Sequence, residues 1–127
     1  MNALHEQYNS LLRLILPEDI FEYFEITSID VQENKINAYF DELNQKLNGF
    51  ENEHLVSKGF HNPIVVQDFP LRDKPLFLHV RRRRSQIESS GKTISRDWNT
   101  VAQGTRMTKG FAAFLKGIFG QLPNKQQ

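Results

Sequence analysis

Leu4, Leu11, Leu12, Ile15 and Leu16 recur at helical spacing, which predicts a helix over residues 3–16. Pro17 closes that helix or opens a shorter second one. Pro17-Glu18-Asp19 places proline and acids in a first turn, and Ile20, Phe21 and Phe24 give the turn an apolar side. Tyr23 and Phe24 are expected in the core. The period then falls to two. Ile29 and Val31 alternate with polar neighbours, Glu33-Asn34-Lys35 turns, and Ile36, Ala38 and Phe40 alternate again, which predicts a hairpin. Residues 41–54 are polar and predict a loop or a frayed helical turn.

The character changes from Ser57. Gly59 and Pro63 punctuate short extended pieces, Ile64-Val65-Val66 predicts a strand, and residues 68–75 form a turn bracketed by Pro70 and Pro75. Leu76, Leu78 and Val80 then alternate with Phe77 and His79, a strand that runs into Arg81-Arg82-Arg83-Arg84. Ser89-Ser90-Gly91-Lys92 turns, with glycine where positive φ is tolerated. Residues 93–98 return as the partner strand, which makes 76–98 a basic hairpin. Thr108 caps a last helix whose stripe is Phe111, Phe114, Leu115, Ile118 and Phe119. Gly110, Gly117 and Gly120 weaken that helix, and Pro123 ends the fold. The expected fold class is α+β: N-terminal helices, a short-stranded antiparallel sheet with a basic hairpin, and a C-terminal helix. Residues 1–127 are expected to form a single domain, with an acidic helix and hairpin half (1–57), a basic hairpin plus helix half (58–120) and a tail (121–127).

A chain of 127 residues has room for one modest core. Apolar residues make up 39%, which is low, but ten Phe, three Tyr and one Trp each offer a large area to bury. Cysteine is absent, so disulfides and cysteine-ligated zinc or iron–sulfur sites are excluded. That composition fits a reducing, cytoplasmic location. No apolar run approaches the ~20 residues that span a bilayer, and the N-terminus lacks the pattern of a signal peptide, so no membrane is expected as a partner.

The net charge of +1 conceals a strong asymmetry. Residues 1–57 hold three basic groups against eleven acids, a balance of −8, whereas residues 58–127 hold thirteen against four, a balance of +9. A polyanion would suit the basic half. The plainer alternative is that the two halves pack together and neutralise one another.

Candidate chemistry follows the charge. Arg81, Arg82, Arg83, Arg84, Lys92, Arg96, Arg106 and Lys109 lie close together in the chain. Arginine forks fit phosphate bidentately, and a two-stranded ribbon fits the DNA major groove. Trp98 offers either a base-stacking ring or, more commonly, a core residue. Catalysis finds little support. There is no cysteine nucleophile, no glycine-rich phosphate loop and no Gly-x-Ser-x-Gly elbow. His5, His54, His61 and His79 are scattered, and only His79 sits in the basic strand. No catalytic residue, no cofactor and no metal site is therefore expected.

Several runs also resemble a known family. They are Leu16-Pro17-Glu18-Asp19-Ile20-Phe21-Glu22-Tyr23-Phe24, Ser57-Lys58-Gly59-Phe60, Gln67-Asp68-Phe69-Pro70-Leu71-Arg72, Leu78-His79-Val80-Arg81-Arg82-Arg83-Arg84, Ser95-Arg96-Asp97-Trp98, Ala102-Gln103-Gly104-Thr105-Arg106-Met107-Thr108 and Phe111-Ala112-Ala113-Phe114-Leu115-Lys116. Across residues 14–119 the chain resembles the N-terminal region of bacterial (Bacteroidetes-type) insertion-sequence transposases, where this segment is often a separate reading frame. The resemblance implies a DNA-binding part of a transposition system that recognises transposon ends in double-stranded DNA, without the acidic catalytic triad, which belongs to a downstream region. Related transposases carry a cysteine-ligated zinc ribbon after the strand that matches 76–84. Without cysteine that ribbon would persist only as a metal-free hairpin. The residues expected to bind nucleic acid are Arg81, Arg82, Arg83, Arg84, Lys92, Arg96 and Arg106. The alternative is a protein–protein module that docks a separate catalytic transposase subunit, through the acidic half or through the stripe Phe111, Phe114 and Ile118. A weaker option is a single-strand or RNA binder. Neither the target site nor the oligomeric state follows from these residues.

Overall fold

Alternation along one strand, Lys74–Arg81, builds the centre of the fold. Leu76, Leu78 and Val80 point into the core and are buried, whereas Phe77, His79 and Arg81 point the other way. The computed structural model describes residues 3–98, 101 and 109–119. Its element order is α1 (Ala3–Ile15), a 3-10 helix (Glu18–Glu22), β1 (Phe24–Val31), β2 (Ile36–Glu42), β3 (Leu55–Phe60), β4 (Ile64–Leu71), β5 (Lys74–Arg81), β6 (Arg83–Ile87), β7 (Thr93–Ile94) and α2 (Lys109–Phe119). The fold is α+β and mostly β. Among the described residues no helix is long and apolar enough to cross a membrane.

Two sheets are present. The larger has the order β1-β2-β5-β4 and the smaller β3-β6-β7. The predicted hairpin is β1–β2, with Val31 opposite Ile36 and Phe24 opposite Glu42. One pair departs from the antiparallel expectation: β2 and β5 run parallel, with Ile36 beside Leu76 and Asp41 beside Arg81. The basic hairpin expected over 76–98 does not form as drawn. β5 already has β4 on one side and β2 on the other, so it has no free edge for residues 93–98. The chain leaves the larger sheet at Arg82. Arg83–Ile87 then starts afresh in the smaller sheet, where β6 pairs with Thr93–Ile94 and with β3.

The turn expected across 68–75 is shorter than its prolines suggested. β4 continues through Pro70 to Leu71, and only Arg72 and Asp73 turn, both at positive φ (51° and 67°). β4 is an edge strand, so the missing amide hydrogen of Pro70 leaves no inner ladder broken.

The core lies on one face of the larger sheet. Phe40, Leu78 and Val80 of the sheet meet Ile20, Phe24, Trp98 and the α2 stripe Phe111, Phe114, Leu115 and Ile118. The aromatics interlock: Trp98 stacks on Phe24 at 5.2 Å, and Tyr23 stacks on Phe111 at 5.8 Å. Phe24, expected in the second helix, instead begins β1. A second, smaller cluster of Leu47, Ile87 and Ile94 sits under the loop that precedes β3. The acidic and basic halves do not separate in space. The chain crosses between sheets at β2–β3, β3–β4 and β5–β6, and both halves contribute strands to the larger sheet. The expected cap Thr108, together with Gly120 and the tail 121–127, lies outside the described residues, as do the side chains of Leu4, His5 and Phe119.

Candidate nucleic-acid interface

The four arginines straddle the step from one sheet to the other, and each meets a different environment. Arg81 closes β5. The parallel register sets Asp41 beside it, and the guanidinium donates from Nε to Asp41 Oδ1 at 2.6 Å and from Nη2 to Oδ2 at 2.7 Å. The same group lies 4.1 Å over the Phe60 ring, and its hydrogen bond to Asp41 raises its pKa above the ordinary value. Arg82, between the strands, is half-buried. Its Nε is buried without an acceptor among the described residues, and desolvation lowers its pKa, partly offset by the charge of Glu42.

Arg83 opens β6. Its backbone N–H donates to Glu42 Oε1 at 2.8 Å, its Nε to the Glu42 carbonyl at 3.2 Å, and its Nη1 to Ser57 Oγ at 2.9 Å. Its guanidinium also lies over the Phe60 ring, at 4.7 Å. Arg96 follows β7 and turns back into the core. Its Nε donates to Glu42 Oε2 at 3.0 Å and its Nη2 to Gln45 Oε1 at 2.7 Å, with the Tyr23 and Trp98 rings within 5.5 Å.

Glu42 is therefore the hub. It is 2% exposed at the end of β2, receives Arg83 and Arg96, and ties the two sheets together. Burial raises its pKa above the ordinary carboxylate value, and the Arg83 amide and Arg96 guanidinium act against that rise.

Arg84 and Lys92 differ from the rest. Both are exposed, and neither side chain has a hydrogen bond or ion pair among the described residues. Arg84 lies on the outward face of the smaller sheet, since its neighbour Ser85 and then Ile87 are buried. Lys92 sits beside β7 at the turn of the β6–β7 hairpin, where its carbonyl accepts from Ile87 N–H. Of the seven expected cations, then, Arg81 and Arg96 are paired with carboxylates, the Arg83 guanidinium is held by the Glu42 carbonyl and Ser57, Arg82 is half-buried, and Arg84 and Lys92 face solvent. Arg106 lies outside the described residues.

Two expected roles change. Trp98 is 3% exposed within the aromatic core, so it offers no face to a base. The stripe Phe111, Phe114 and Ile118 is buried against the sheet and the 3-10 helix, so it is not an open docking surface. His79 Nε2 donates to Asn37 Oδ1 at 2.8 Å, and the ring stacks on Tyr39 at 4.5 Å. Burial, and then the charge of Lys35, lowers its pKa. No group of three His, Asp or Glu among the described residues could hold a metal ion.

The hub itself was hidden in the sequence, because Glu42 lies 54 positions from Arg96 and no local pattern links them. Lys58 was also passed over. It adjoins Gly59, whose φ of +83° marks a break in β3, and an isolated glycine in an extended stretch is a signal for such a break. No protein-family model, no curated protein and no solved structure matches the chain.

Proposed function

We propose that the chain is the DNA-binding N-terminal region of a transposase, which recognises transposon ends and leaves DNA cutting and joining to a catalytic centre elsewhere. A cytoplasmic site of action goes with this reading. The observation that carries it is that Arg84, on the outward face of the smaller sheet, and Lys92, at the β6–β7 turn, are exposed without acidic partners among the described residues, while Asp41 and Glu42 hold Arg81 and Arg96. Cations held apart from carboxylates suit a phosphate backbone. The family resemblance supplies the rest, namely that the polyanion is transposon DNA.

The test is fluorescence anisotropy of a labelled duplex carrying the end of the element, set beside a scrambled duplex at several salt concentrations. Steeply salt-dependent binding that prefers the end is expected. Replacing Arg84 and Lys92 together by alanine should weaken binding to both duplexes and make the salt slope shallower by about 0.9 per lost phosphate contact. Absence of binding at low salt would overturn the reading.

A second reading, a module that docks a separate catalytic transposase subunit, draws on a different observation. Leu14 is 84% exposed and Phe69 is 80% exposed, and Ile15 and Phe69 line one cavity of about 310 Å³. Coelution with the catalytic subunit on size exclusion, lost in Leu14→Ser with Phe69→Ser, would favour it.

A further inference from the structure

The ladder between β3 and β6 skips. Ser57 pairs with Ser85 and Phe60 pairs with Arg83, so Lys58 and Gly59 together stand opposite the single residue Arg84. Such a bulge bends its strand and opens the ladder locally. Alternation from Ser57, the partner of the buried Ser85, places Lys58 on the face that Arg84 occupies. Two cations are thus set across from each other on one sheet face. Like charges in that relation destabilise a sheet. Both are exposed, and neither has a hydrogen-bonding or ionic partner among the described residues. Next to Lys58 in the bulge, Gly59 at φ +83° has open space where a side chain would stand, with nothing within 4 Å. At the adjoining junction of the sheets the acids are engaged: Asp41 pairs with Arg81, and Glu42 accepts from the Arg83 amide and pairs with Arg96.

We infer that the Lys58–Gly59 bulge and Arg84 form the seat for one phosphate of a nucleic-acid backbone. The two cations grip it from opposite strands, and the missing Cβ of Gly59 lets it approach the sheet. A phosphate there turns a repulsive pair into a charge-neutral triad. This inference rests on the DNA-binding reading and gives it a particular point of contact.

Salt titrations of duplex binding with Lys58→Ala, Arg84→Ala and the double variant test it, with Lys116→Ala on α2 as a control and circular dichroism to verify folding. If both side chains hold one phosphate, each single variant weakens binding but nearly keeps the salt slope, because the remaining cation still neutralises the phosphate. The double variant then lowers the slope by about 0.9. A fall of about 0.9 in each single variant and about 1.8 in the double would mean two separate contacts and overturn the shared seat. Binding equal to the parent in all three variants would overturn the site while leaving the DNA-binding reading in place. A parent protein that binds no duplex at low salt would overturn that reading itself, and the seat with it.

Discussion

Glu42 joins two arginines that the chain places far apart, and its energetics differ in kind from those of Arg84. The Arg96–Glu42 pair is almost fully withdrawn from water, so removing one partner strands the other. Arg96→Ala should cost about 3–5 kcal/mol in urea unfolding followed by circular dichroism. Arg84→Ala, by contrast, should stay within about 0.5 kcal/mol of the parent, because its side chain is exposed and has no hydrogen bond or ion pair among the described residues. Stability and DNA binding are therefore expected to sort the arginines into opposite groups. Glu42 also shapes the pH profile. Burial raises its folded pKa above the ordinary 4.5, so the native state holds the proton more tightly than the unfolded chain. As pH rises from 4.5 through the raised value, the unfolded chain gains more from ionisation, and stability falls across that window and then levels. Glu42→Gln should be less stable above the window yet lack this decline, which urea midpoints from pH 4 to 7 would show. The arginine run was visible as a charge block, but its division into buried anchors and free cations was not. That division depends on Asp41 and Glu42, which pairing across 40 or more positions brings alongside.

Elements that follow a local rule were legible, and those decided by competition for a sheet edge were not. The β1–β2 hairpin and the two main helices follow periodicity, and their apolar positions suffice to mark them. The smaller sheet escaped detection because the alternation of β5 runs straight into β6 in sequence, while in space the chain changes sheets at Arg82. The Arg72–Asp73 turn was hidden by its flanking prolines. Both of its residues adopt the left-handed conformation that a two-residue hairpin requires; Arg72 is ill suited to it, and Asp73 tolerates it less well than glycine would. Arg72→Asn with Asp73→Gly should stabilise the protein by about 1 kcal/mol and raise Tm by a few degrees, measured by thermal unfolding. The opposite holds in α2. Alanine has the higher helix propensity, by about 1 kcal/mol, but a Cβ at Gly117 would lie 2.8 Å from Val66 Cγ1 of β4. Overpacking of about 1–3 kcal/mol should win, so Gly117→Ala is expected to lower Tm.

At the scale of the whole molecule, the charge asymmetry of the sequence is partly offset where the two halves meet. Acids of β2 meet arginines of the basic half at the junction of the sheets, while Arg84 on the smaller sheet and Lys92 at its turn stay exposed. The resemblance to transposase N-terminal regions runs through these junction residues as well as through the exposed ones. The parallel pairing of β2 with β5 has a kinetic consequence. Ile36 and Leu76 are neighbours, yet forty positions of chain, including all of β3 and β4, must be placed before they meet. Closing that loop costs entropy that no intervening helix defrays. Folding should therefore be slow for a chain of this length, with relaxation in the millisecond-to-second range rather than microseconds, and the single buried Trp98 provides the stopped-flow signal. On the ribosome the β1–β2 hairpin emerges well before β5, so the edge of β2 stays unpaired until β5 arrives to cap it, and the yield of native protein should depend on that delay.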